Sequence, residues 1–116
     1  VSQVPRDAEV SLAAIRAVGG DELVRAMLDA FGAFATAQVA WIERQHESGA
    51  FDGVAEAARA LRISASQVGA MRLVRACESA ELAGQGEDAA GTARAIEEVA
   101  NELAAARPWM DALAAS

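Results

Sequence analysis

The chain has 116 residues and a mass of 12.0 kDa, enough for one hydrophobic core and too little for two. It is 53% hydrophobic and 23% charged, with only two prolines, which excludes a disordered chain or a linker. A net charge of -7, with ten scattered basic residues that are all Arg, excludes nucleic acid as a partner and works against attraction to anionic lipid.

Alanine makes up roughly a quarter of the residues, Tyr is absent, and strand-forming residues are scarce, so the expected class is all-α. Residues 1–7 carry Pro5 and no helical periodicity; they read as a loose N-terminal segment ending at a cap, Asp7. A short helix is predicted from Ala8 to Val18, with Val10, Ala13, Ala14 and Ala17 inward, ended by Gly19 and Gly20. Asp21 then caps a long helix whose apolar positions are Leu23, Val24, Met27, Leu28, Phe31, Phe34, Trp41 and Ile42, running to Ser48 and Gly49. That apolar set is broad enough to face more than one neighbour.

Asp52 is the expected cap of the next helix, where Val54, Ala58, Leu61, Ala65 and Val68 alternate steps of four and three, the seam of a helix packed at a shallow angle. Gly69 interrupts it. A further helix is predicted from Ala70 to about Ala83, with Leu73, Val74 and Cys77 inward and a stop at Gly84-Gln85-Gly86. The last begins near Glu87 and repeats the four-three spacing through Thr92, Ile96, Val99, Leu103, Ala106, Met110 and Leu113. Pro108 should kink or end it, because the ring removes a donor and crowds the carbonyl four residues back. Short links favour antiparallel neighbours, so the expected architecture over residues 1–116 is one domain, an antiparallel up-down four-helix bundle with a short extra N-terminal helix.

No apolar run approaches the roughly 20 residues that span a bilayer, and the N-terminus lacks the pattern of a signal peptide, so a cytoplasmic protein without membrane insertion is expected. The chain opens on Val1 without Met, so either a trimmed chain or one piece of a longer protein is expected. One Cys and one His leave no internal disulfide and too few ligands for structural zinc, and no cofactor is expected. Nucleotide-binding, serine-hydrolase, zinc-protease and di-iron motifs are all absent from the sequence. Glu97-Glu98 and Asp21-Glu22 read as solvated faces or helix-start charges, His46 as a cation at a helix C-terminus, Cys77 as core filler, and Trp41 and Trp109 as packing residues, Trp109 at a bundle end that allows it partial exposure.

The stretch Ala58-Arg59-Ala60-Leu61-Arg62-Ile63-Ser64-Ala65-Ser66-Gln67-Val68-Gly69-Ala70 resembles the signature of histidine-phosphotransfer (HPt) domains, approximately A-H-x-L-K-G-S-S-x-x-x-G-A. Ala58, Leu61, Ser64, Gly69 and Ala70 match outright, and Arg62 stands where the family has a basic residue. Gly20-Asp21-Glu22-Leu23 with Met27, Leu28 and Phe31 is similar to the family's second-helix start; Leu73, Cys77, Glu81 and Leu82 are similar to its fourth helix. The likeness runs from about Ala13 to Leu113.

The resemblance implies a phosphorelay scaffold without its chemistry. Arg59 replaces the phospho-accepting His, and Ile63 replaces the Gly that keeps that ring accessible. A guanidinium has no free lone pair to attack phosphorus, so Arg59 cannot take a phosphoryl group. At 100° per residue, Arg59 lies about 100° from Ala58 and about 160° from Leu61, off the apolar seam. Arg62, Ile63 and Ser66 fall on the same side, and together with Arg59 they form the expected partner-binding face.

The expected function is that of a pseudo-phosphotransfer module, a monomer and not an enzyme, that binds a response-regulator receiver domain or a histidine kinase. Alternatives are an active phosphotransfer domain, using His46 or one in which Arg59 replaces a native His, and a generic helical adaptor or dimerisation bundle.

Overall fold

The computed structural model of the chain describes residues 3–115. These form four α-helices, with no strand among the described residues: α1 Arg6–Glu47, α2 Phe51–Gln67, α3 Met71–Gln85 and α4 Ala89–Ala115. Consecutive helices pack on one another and α1 also packs on α4, closing a ring around a core of Leu, Val, Ile and many Ala side chains.

Three links joining the helices are built alike. Ala50, Ala70 and Asp88 each donate a backbone N–H five residues back, to Gln45, Ala65 and Ala83, while Gly49, Gly69 and Glu87 donate three residues back, to His46, Ser66 and Gly84. These paired bonds satisfy carbonyls that a helix C-terminus otherwise leaves orphaned, and they require a left-handed residue at the turn. Gly49 and Gly69 supply it at φ 75° and 73°; in the third link it is Glu87, at φ 52°. The stop expected from Gly84-Gln85-Gly86 therefore rests on a glutamate. Gly84 is buried within α3, where a Cβ would stand 3.0 Å from the Phe51 carbonyl oxygen.

The N-terminal region differs from expectation. The helix starts at Arg6, with Pro5 at its cap position, so Asp7 lies in the first turn. Gly20 (φ 72°, ψ -169°) breaks the helical backbone at a single residue; helix resumes at once, so the short helix and the long one are two arms of α1 meeting at a kink. Arg16 Nε donates to Asp21 Oδ1 at 2.6 Å across that kink. Val10, Ala13, Ala14 and Ala17, expected inward, are exposed, and Ala8 and Leu12 are buried in their place. An alanine-rich arm has little side-chain contrast from which to read its inward face; Ala8 is instead chosen by its contact with Gly69.

The α2 seam is as expected: Val54, Ala58, Leu61, Ala65 and Val68 are all buried. Asp52 is not the cap, since Ala50 takes that position and Asp52 lies in the first turn, where its charge still suits the helix dipole. In α3, Leu73, Val74 and Cys77 are buried. In α4 the seam from Thr92 to Met110 is buried and Leu113 half-buried. Asp88 Oδ1 accepts the Gly91 N–H at 3.0 Å, the usual way a side chain opens a helix. Pro108 neither ends nor divides α4, which runs on to Ala115. Beyond the proline, Trp109 and Met110 are both buried, and their packing offsets the lost backbone bond; Trp109 is the packing residue expected, without the partial exposure that its place at the bundle end allowed.

Phe34 and Trp41 are not core residues, being 38% and 46% exposed. By length and composition alone α1 contains a window apolar enough to cross a membrane, a test that the core helix of a soluble protein also passes, and 33% of that window is buried.

Candidate functional site

On α2, the buried seam fixes what faces outward. Arg59, Ile63 and Ser66 lie on the opposite side and are exposed, Ile63 by 47%. Ile63 follows Arg59 by one turn, so a branched apolar side chain sits beside a permanent cation. The Ser66 hydroxyl donates to the Ile63 carbonyl oxygen at 2.8 Å, back-bonding to its own helix near the C-terminus.

Arg62 departs from this group. Its Nε donates to Glu81 Oε1 of α3 at 3.1 Å, and both side chains are largely covered, with 31% and 16% exposure. The structure therefore brings together Arg59, Ile63 and Ser66 and turns Arg62 to the α2–α3 boundary as a partly buried ion pair. Nothing in the local sequence marks Glu81 as its partner, because the two residues meet only through tertiary packing.

Flanking this face, a hollow of about 220 Å³ opens between α1 and α2, lined by Met27, Phe31, Phe34, Ser64, Gln67 and Val68 among others. The half-exposed Phe34 ring forms part of the lining of this hollow on the α1 side. Sequence reasoning assigned Phe34 to the core because it falls on the broad apolar set of α1. Gln38 Nε2 donates to the Ala57 carbonyl oxygen at 3.0 Å and ties the two helices together farther along.

A second cleft, of about 430 Å³, lies where Pro5 and Asp7 approach the start of α3 and the end of α4. Arg72 crosses it to Glu102 at 2.9 Å, and that hydrogen bond, with the charge behind it, holds the guanidinium still more firmly protonated. His46 sits half-buried in the last turn of α1, away from the α2 face in sequence and on another helix. Cys77 is wholly buried, and burial pushes its thiol up to about 12, the state of an inert core residue. Glu97, Glu98, Asp21 and Glu22 are exposed, in keeping with solvated charges. Among the described residues no three His, Cys, Asp or Glu side chains converge to hold a metal ion.

Against protein-family models, curated proteins and solved structures, the chain matches none.

Proposed function

We propose that the chain is a pseudo-histidine-phosphotransfer domain, an HPt-like antiparallel up-down bundle acting in a cytoplasmic two-component relay. It docks a receiver domain or a histidine kinase through the outward face of α2 without carrying phosphate. The observation that carries this reading is the exposure of Arg59 on the helix whose sequence resembles the HPt signature, with Ile63 exposed one turn away. A relay nucleophile must project into its partner, and here a cation projects instead.

Receiver domains surround their phospho-accepting Asp with carboxylates. Arg59 would meet that cluster with charge-assisted hydrogen bonds and compete with the magnesium ion that phosphorylation requires. Exposed ion pairs contribute about 0 to 1 kcal/mol, whereas a partly desolvated pair at an interface centre costs about 2 kcal/mol or more when truncated. The outcome is inhibition of the receiver rather than relay.

Two measurements test this. Incubation with a cognate kinase and ATP should leave no acid-labile phosphate on the chain; phosphate mapped to His46 would refute the reading. Calorimetric titration with a cognate receiver should show Arg59→Ala binding at least about tenfold more weakly, with magnesium weakening the parent but hardly the variant. Equal affinities at low and high magnesium would remove Arg59 from the mechanism.

A further inference from the structure

The long arm of α1 carries two apolar stripes, and the bundle covers only one. Val24, Leu28, Phe31, Ala35, Val39 and Ile42 enter the core. A second set, Leu23, Met27, Ala30, Phe34, Ala37 and Trp41, recurs in steps of four, three, four, three and four, the repeat of a coiled-coil seam. On a helical projection it is centred about 120° from the core stripe. Leu23 and Met27 are half-buried and the other four are exposed, Phe34 by 38% and Trp41 by 46%. Met27, Ala30 and Phe34 border the hollow beside α2, and the outer side of the seam stays exposed.

The order of side-chain sizes indicates what covers it. Read forward, the seam runs large, large, small, large, small, large. Laid against its own reverse, Leu23 falls opposite Trp41, Met27 opposite Ala37 and Ala30 opposite Phe34, each pairing occurring twice. Every alanine then receives a Met or Phe knob, the alternation by which facing helices interdigitate. A parallel alignment sets Phe34 against Phe34 and Ala37 against Ala37, leaving clash and void in turn.

Charge selects the same orientation. Glu22 and Arg44 are both exposed, at opposite ends of the arm and on the same flank of the seam, and Arg44 lies over its own Trp41 ring at 5.2 Å. A two-fold axis perpendicular to antiparallel helices keeps like flanks together, so Arg44 of each copy faces Glu22 of the other; a two-fold axis along parallel helices would put the two copies of each charge on opposite flanks and leave Arg44 far from Glu22.

We infer that the chain self-associates as an antiparallel two-fold dimer through this outer face of α1. The inference departs from the monomer expected of the sequence; its seam shares Met27 and Phe34 with the hollow beside the α2 face, but its readout is self-association of the chain alone and involves neither Arg59 nor a receiver.

Sedimentation equilibrium across the micromolar to millimolar range tests it on the intact chain. The expected result is a monomer–dimer equilibrium that Ala37→Glu weakens at least about tenfold, the variant, at an exposed position, remaining folded in circular dichroism melts. Phe34→Glu should act in the same way. Orientation is read by cysteine cross-linking with a short bis-maleimide, the native Cys77 being buried. Ala33→Cys lies near the two-fold axis and should cross-link to its mate, whereas Ala26→Cys, two turns away on the same flank, should not. A parent that stays monomeric throughout, including one that instead sediments with phospholipid vesicles, would overturn the proposal. So would a dimer indifferent to both glutamates, or one that cross-links through Ala26→Cys and not Ala33→Cys.

Discussion

Gly69 lies so close to Ala8 that a Cβ on the glycine would stand 2.6 Å from the Ala8 Cα and would also overlap the Asp7 carbonyl oxygen. The turn ending α2 is thus the seat on which the start of α1 rests. Gly69 combines two constraints, a left-handed backbone and a contact that admits no side chain, whereas Gly49 has the first alone, with nothing within 4 Å of its would-be Cβ. Gly69→Ala should cost about 2 to 4 kcal/mol, left-handed strain and overpacking together, and Gly49→Ala about 1 to 2 kcal/mol. Urea melts of the two variants would measure the difference, and equal losses would mean that the N-terminal arm does not bear on this turn.

Glu87 does in the third link what glycine does in the other two, at φ 52° and with a Cβ that disfavours it. Glu87→Gly should therefore raise stability, by about 1 kcal/mol, against the usual direction of a glycine substitution. A thermal melt shifted upward by several degrees is the expected reading.

Thr92 is fully buried in the α4 seam, and its Oγ1 has no hydrogen-bond partner. Removing an unpaired buried hydroxyl while keeping the branched shape should be favourable, because the desolvation cost of about 1 to 3 kcal/mol disappears with it. Thr92→Val should stabilise the fold by about 1 kcal/mol in denaturant titration, while Thr92→Ser, which keeps the hydroxyl and loses the methyl, should destabilise it.

The sequence has no Lys and no Tyr, so between about pH 9 and 12 Cys77 is the side chain left to titrate. Its thiol is held at about 12 in the fold but ionises near 8.5 when unfolded. Below 8.5 both states hold the proton and there is no effect. Above it the unfolded chain releases the proton first, so stability falls with rising pH, by up to about 1.4 kcal/mol per pH unit until the folded value is reached. Cys77→Ala should flatten the stability profile between pH 9 and 11, and a parent already flat there would show that the thiol is not desolvated.

How far the fold is legible depends on how much contrast each segment carries. In α2, Val54, Leu61 and Val68 stand out against Arg59, Glu56 and Arg62, and all five expected seam residues are buried. In the arm before Gly20 the candidates were mostly alanines, and the inward face is set by where Gly69 leaves room, a tertiary fact. The long arm has the opposite difficulty: it is apolar nearly all round, so Phe34 and Trp41 matched a core pattern while lying outside the core. At the candidate site, periodicity alone placed Arg59, Ile63 and Ser66 outward. It could not foresee that Arg62, at the rim of that face, would reach across to Glu81, 19 residues on.

The kink at Gly20 divides the chain by resistance to opening as well as by direction. From Arg6 to Gly19 the arm sends only Ala8 and Leu12 fully into the core, with Ile15 packed at its edge. So few apolar contacts make it the segment that detaches at the lowest free energy. In hydrogen exchange its amides should give up protection as one group, well before those of α2 and the buried half of α4. Tryptophan fluorescence should hardly change during that opening except at Trp109, which lines the cleft beneath Pro5 and Asp7. The N-terminal arm thus behaves as a latch beside the cleft lined by Pro5, Asp7 and Trp109: a folding unit of its own, released by local rather than global unfolding.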